Sequence, residues 1–261
     1  MPRFACMELM WGGVEGVKFE PWLREVRACG FEGVALRAAT LRGTDGARAL
    51  LAKHGLKLAA AYLPLHDADA HLETLARALA ELDCADVVLH GGARGGEAER
   101  AAAAERIAEL GARAAKRGLR ASYHHHSGTP FETLEEAEAL LRGIDPEHLA
   151  GFCDTGHATQ DFAGHPAEQR ALLFLERNWA RMRVLEFKAW TPERGLNSEL
   201  GEGPCDLAAL GRFLTERRYA GWIVLEQNAP APGRMPRESA ARSLAVARAL
   251  FRAHAAVPSR S

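Results

Sequence analysis

The chain has no surplus of either charge: 33 lysines and arginines stand against 34 aspartates and glutamates over 261 residues, a formal net charge of -1. Proteins that hold a polyanion usually show a basic excess or stripe, and here the arginines are spread along helix-forming stretches among glutamates. A nucleic-acid partner is therefore not expected. Cysteine is sparse, and Cys6, Cys29, Cys84, Cys153 and Cys205 are odd in number, far apart and never at CxxC spacing, which argues for a reducing cytosol. No apolar run approaches the roughly 18 residues that span a bilayer, and Met1-Pro2-Arg3-Phe4 does not open the apolar region of a signal peptide. A cytoplasmic protein with no membrane partner is expected. No linker-like stretch divides residues 1–261, whose number suits one large domain of about the size of a (β/α)8 barrel.

What the chain does have is a repeated punctuation. Amphipathic runs rich in alanine, leucine and arginine end in a glycine and pass into a short apolar run, as at Cys29-Gly30-Phe31, His54-Gly55-Leu56 and Arg117-Gly118-Leu119. Glycine just past a helix takes the left-handed conformation that ends it, and the apolar run that follows is a buried strand. The pattern predicts strands at 4–10, 33–37, 57–63, 86–90, 119–126, 149–154, 182–188 and 221–227. Helices are predicted at 18–29, 44–54, 68–82, 97–117, 133–143, 166–180, 206–218 and 237–254. Thr133 and Glu136 form a capping-box pattern, and Asp206 is a plausible N-cap. Such alternation favours an α/β fold, a single-domain (β/α)8 TIM barrel, over a doubly wound sheet. Two polar stretches, Thr155 to Pro166 and Ala189 to Cys205, are expected to be long functional loops after strands that end in carboxylates.

Side chains alternate along a strand, so each strand divides into two faces. Val87 and Leu89 oppose Asp86, Val88 and His90; Leu119, Ala121 and Tyr123 oppose Ser122, His124 and His126. Leu185 and Phe187 oppose Val184, Glu186 and Lys188; Ile223 and Leu225 oppose Val224 and Glu226, and Asp154 opposes Cys153. If the apolar set faces the helices, then His90, His124, His126, Asp154, Glu186, Lys188 and Glu226 converge at the C-terminal mouth, with His125 turned outward. Charges buried unpaired cost several kcal/mol each. A divalent cation held by His124, Asp154, Glu186 and Glu226 would compensate them, and such a donor set suits Mn²⁺ first, with Co²⁺, Mg²⁺, Zn²⁺ or Fe²⁺ as alternatives. Lys188 would offset the remaining negative charge, and His126 and His157 would serve proton transfer. His90, Trp11 and Trp190, near strand ends, are candidates to touch substrate. Each residue has a plainer reading: a lone Glu186 at a strand end is ordinarily a solvated rim group, His90 before Gly91-Gly92 equally a structural histidine, and tryptophans ordinarily core. His54, His71, His148, His165 and His254 read as surface residues. The joint pattern carries the site.

Four segments then give a resemblance: Tyr123-His124-His125-His126-Ser127-Gly128-Thr129, Cys153-Asp154-Thr155-Gly156-His157, Gly201-Glu202-Gly203 with Asp206, and Gly221-Trp222 with Glu226-Gln227. Together they resemble the xylose isomerase-like barrel enzymes, a family of sugar phosphate isomerases and epimerases, and most of all its inosose dehydratase branch. The resemblance implies one divalent metal at the C-terminal mouth and a small polyhydroxylated ketone as substrate, and leaves open whether the chain forms a homo-oligomer. By position, Asp154 and Glu226 match family metal ligands, and His124 falls where many epimerases place a glutamate that is ligand and base. The chain departs from the family at Glu186, where a histidine ligand is usual, at Ala189, where an aspartate follows the kept Lys188, and at Ala35, where a strand-2 glutamate is usual. The implied chemistry is proton abstraction next to a carbonyl, with Glu226 as ligand and base and His126 or His157 as proton donor. Dehydration is the leading expectation, isomerisation or epimerisation the alternative, and a non-catalytic sugar-binding barrel or enzyme subunit a further one. The barrel's endonuclease relatives need more metals and a basic groove, which this composition lacks.

Overall fold

The predicted alternation is realised as eight parallel strands: β1 (Arg3–Met7), β2 (Gly33–Arg37), β3 (Lys57–Pro64), β4 (Asp86–His90), β5 (Arg120–His124), β6 (Gly151–Asp154), β7 (Met182–Phe187) and β8 (Trp222–Leu225). The computed structural model describes residues 1–12 and 18–255, with side chains as far as residue 252. The sheet runs β5-β4-β3-β2-β1-β8-β7-β6, and a single parallel bridge, Ser122 to Ala150, brings its two edges together into a nearly closed (β/α)8 barrel. Helices cover the outside, and among the described residues none is long and apolar enough to cross a membrane.

Two apolar clusters show why the strands face as they do. Val87, Leu89, Ala121, Tyr123, Leu185, Phe187, Ile223 and Leu225 pack outward with the helices. Ala5, Met7, Ala35, Tyr62, Val88, Phe152, Val184 and Val224 fill the barrel interior. Ala5 on β1 and Ala35 on β2 are small, which leaves room for the larger Tyr62 from β3 and Phe152 from β6. His125 is turned outward as expected, its ring 4.7 Å from Phe162 and 5.4 Å from Phe174.

Boundaries agree to within a few residues except in two places. The stretch Thr155 to Pro166 is not a loop throughout, because Asp154 caps a short helix, Thr155–Asp161. A second short helix, Ala38–Arg42, follows β2, where only one helix was expected. The segment 189–205 is irregular, as predicted, and Gly203 there has φ +82°, with a Cβ at that position colliding with the Trp190 carbonyl. The histidines expected at the surface, His54, His71, His148 and His165, are half-buried, and the side chain of His254 lies outside those described.

Candidate metal and active site

At the end of β6 the Asp154 carboxylate is divided between two tasks. Its Oδ1 accepts hydrogen bonds from the backbone N–H groups of Gly156 (2.7 Å) and His157 (3.1 Å), capping the helix Thr155–Asp161. Its Oδ2 faces the mouth, 3.1 Å from His124 Nε2 and 3.9 Å from His157 Nε2. Asp154 is fully buried, and burial raises its proton affinity, but His157, His124 and Lys188 outweigh that and hold it well below the usual carboxylate range. The donor atoms of His124, Asp154 and His157 all lie within 4.8 Å of one another, a group that could hold a metal ion.

The imidazoles are aimed by their second nitrogens. His157 Nδ1 lies 3.1 Å from Asp161 Oδ2, one helical turn on, and Ser127 Oγ donates to both oxygens of Asp161 at 2.8 Å. A carboxylate behind a histidine in this way sets the tautomer that leaves Nε2 free as a donor to metal. His126 Nδ1 lies 2.9 Å from the Ser127 carbonyl, which can only accept, so Nδ1 carries the proton and neutral His126 offers a lone pair at Nε2. Burial lowers the basicity of His126, and brings His124 to about 4. The ring centroids of His124, His126 and His157 are mutually 5.4–5.5 Å apart.

The remaining carboxylates come from β7 and the end of β8. Glu186 is fully buried; its Oε2 accepts from Tyr62 Oη at 2.5 Å, while Oε1 has no partner. Burial, followed by the charges of Glu226 and Asp154, pushes Glu186 well above the usual carboxylate range. Lys188 Nζ is paired with Glu226 Oε1, and although burial opposes its charge, Glu226, Asp154 and Glu186 keep the ammonium form. Its backbone is fixed on both sides of one hydroxyl: Lys188 N–H donates to Thr155 Oγ1 (3.0 Å), which donates to the Lys188 carbonyl (2.7 Å). Gly156 lets the chain pass, since a Cβ there would sit 2.9 Å from Lys188 Cγ.

The expected residues are therefore distributed as follows. His124 and Asp154 are joined by His157, assigned from sequence to proton transfer, whereas Glu186 and Glu226 are held by Tyr62 and Lys188 and lie outside that three-residue group. His90 ends β4 with Nε2 buried and unpartnered, and burial, with the neighbouring His126, His66 and Arg37, lowers it to about 4. Trp11 donates its indole N–H to Glu25 (2.9 Å) and stands edge-on to Trp22, so it is turned toward the helix Phe19–Cys29. Trp190 is half-buried on the loop beside Gly203. Sequence reasoning missed Tyr62, which reaches from β3 to β7 across the barrel as a floor to the mouth. Its phenol is the one polar tip in the run Leu58-Ala59-Ala60-Ala61-Tyr62, which is the signal that could have found it. Asp161 was missed because its helix was read as loop.

A family model described as "Xylose isomerase-like TIM barrel" matches residues 23–250. The chain belongs to this family. Among curated proteins, this xylose isomerase-like barrel is 29% identical over 134 residues to an inosose dehydratase of Bacillus velezensis, covering 45% of the chain and 43% of that protein. The match thus spans less than half the length of the relative. In solved structures it resembles a D-psicose 3-epimerase determined with D-fructose, at a TM-score of 0.76 and 15% identity over 95% of this chain and 99% of that one. A probable 3-DHS dehydratase from Bacillus anthracis is similar at a TM-score of 0.76 and 15% identity over 94% and 98% of the two chains. At such identities the structural likeness speaks for the fold.

Proposed function

We propose that this xylose isomerase-like barrel is a divalent-metal-dependent lyase that removes water from a keto-inositol or related keto-sugar by abstracting a proton next to the carbonyl. The observation that carries the reading is the orphaned Glu186 Oε1 beside the convergent donors of His124, Asp154 and His157. A buried carboxylate oxygen with no partner is costly unless a cation or a proton reaches it. Asp154, His124 and His157 would hold the ion, with Glu186 and Glu226 completing its surroundings, and the mixed nitrogen and oxygen set suits Mn²⁺, Co²⁺, Mg²⁺, Zn²⁺ or Fe²⁺. Bound there, the metal supplies Lewis-acid polarisation of a carbonyl oxygen.

The side chains divide the proton work. Glu226, steadied by Lys188, takes the proton from the carbon next to the carbonyl, and the electron pair left behind forms the enediolate. The β carbon–oxygen bond then breaks, and the departing hydroxyl takes a proton from His126, since His157 in this reading gives Nε2 to the metal and Nδ1 to Asp161. Neutral His126 becomes a donor only after Nε2 has received a proton, and the one accepted by Glu226 supplies it, so the net change is loss of one water. Lys188 Nζ offsets the negative charge on the enediolate oxygens. A cytoplasmic setting with five free cysteines belongs to the same reading.

The curated relative's name, inosose dehydratase, supports dehydration. One feature favours epimerisation as the second reading: Glu226 and His126 follow different strands, β8 and β5, so a proton removed by one could be returned to the opposite face by the other. An assay of keto-inositols and ketohexoses with added Mn²⁺ or Co²⁺ decides between them. Loss of water detected by mass spectrometry is expected; exchange of the α-proton with solvent and no loss of water would assign an epimerase or isomerase. Equilibrium dialysis should find one divalent ion per chain, lost in Asp154→Ala. Failure to bind any would leave the non-catalytic sugar-binding barrel.

A further inference from the structure

Ser127 moves no proton in the mechanism above, yet it is tied to both histidines that the mechanism uses. The chain turns sharply after β5: Thr129 N–H (3.1 Å) and Thr129 Oγ1 (2.7 Å) both donate to the His126 carbonyl, and Gly128 takes φ +76°. Ser127 is fixed at the first corner of that turn. Its carbonyl lies 2.9 Å from His126 Nδ1, and its hydroxyl lies 2.8 Å from each oxygen of Asp161, the carboxylate behind His157. Gln160 Nε2 reaches the same hydroxyl at 3.0 Å. Arg170 holds the end of the short helix Thr155–Asp161 by donating to the carbonyls of Gln160 (3.2 Å) and His165 (2.8 Å). These contacts join the segments after β5 and β6, strands that share a single bridge.

The direction of each bond follows from what each group can do. An amide nitrogen only donates and a carboxylate only accepts, so Ser127 receives the Gln160 proton on a lone pair and gives its own to Asp161. With the amide reversed, a carbonyl and a carboxylate would compete for one hydroxyl proton. Asp161, whose side chain is 5% exposed, also accepts from His157, so Nδ1 carries the proton there and the Nε2 lone pair is left toward Asp154 Oδ2, 3.9 Å away. Two lone pairs so placed are stabilised by a cation between them. We propose that Ser127 is a positioning residue that gives the two histidines different roles: its hydroxyl, acting through Asp161, holds His157 as a metal donor, and its carbonyl holds His126 as the proton carrier. This rests on the metal-dependent reading.

Metal affinity and imidazole tautomers test it. In apoprotein labelled with ¹⁵N-histidine, at about pH 8 where free imidazole is neutral, His157 and His126 should both be protonated at Nδ1. Asp161→Ala should leave His157 with mixed tautomers and His126 unchanged, and should weaken Mn²⁺ binding by about tenfold or more in calorimetric titration. Ser127→Ala should weaken it several-fold, Ser127→Thr should restore it, and Ser127→Ala should cost nothing further when Asp161 is already alanine. That last term separates a residue acting through Asp161 from one that merely supports the fold, whose loss would be the same in both backgrounds. Equal losses in the two backgrounds, full affinity in Ser127→Ala, or His157 protonated at Nε2 in the unaltered apoprotein would each overturn the proposal. Failure of the lyase reading would look different: an unaltered protein that binds no divalent ion, or binds one and releases no water, with the His157 tautomer still set by Asp161.

Discussion

Single residues decide how this site behaves toward protons. His90 is the cleanest case, since its imidazole is held neutral by burial and by positive neighbours, with a value near 4 in place of 6.5. Between those two values the unfolded chain binds the extra proton and the folded chain does not, so acid favours unfolding and the stability this neutral form retains at neutral pH is lost as pH falls. From pH 7 to 5 the loss from this one group should be about 2 kcal/mol, additional to that from His124 and His125, which shift in the same direction. Thermal unfolding followed across that range should show a shallower pH slope in His90→Asn than in the unaltered protein; equal slopes would refute the assignment. The same local view explains which residues were readable. His124, Asp154 and Lys188 lie inside recognisable segments, whereas Glu8 and Arg37 are partners 29 residues apart whose pairing no local pattern announces.

At the scale of elements, the irregular segment 189–205 is tied down by one carboxylate. Glu199 is buried, accepts from Ser239 Oγ at 2.8 Å and lies 3.1 Å from Arg242 Nε, and is also paired with Arg234. These contacts fasten the loop to the helix Pro236–Ala255. Glu199→Ala should cost about 1–3 kcal/mol, less than a fully buried pair because both arginines can reach water. Urea denaturation measures this, and an unchanged midpoint would mean the loop is held by something else. Helices with strong periodicity and glycine stops were legible from sequence. The short helix Thr155–Asp161 was not, because it is nucleated by the Asp154 cap and by burial of its residues under the loop, and carries no apolar repeat of its own.

The whole molecule has one weak seam. Seven of the eight strand pairs are joined by ladders, but β5 and β6 meet through the single bridge at Ser122 and Ala150, with Ala150 N–H donating to the Ala121 carbonyl at 2.7 Å. Two of the three residues that could hold a metal ion, His124 on β5 and Asp154 on β6, stand on either side of that seam. Metal binding should therefore staple it. Hydrogen exchange at the Ala150 amide is expected to be faster than in the β7–β8 ladder and to slow on addition of Mn²⁺. At about 100 times the dissociation constant the metal should add about 2.7 kcal/mol of stability. Metal binding with no added protection at Ala150 would contradict this. The sequence by itself determined the order of strands and helices and which face of β4 to β8 turns inward, because period-2 alternation and glycine helix stops are local and repeated. Only the tertiary structure decided that His157 joins His124 and Asp154, that Tyr62 crosses the barrel to Glu186, and that Arg37 leans on Glu8. Those are relations between strands brought together by closure, and the distance across a barrel is not encoded in the spacing of residues along the chain.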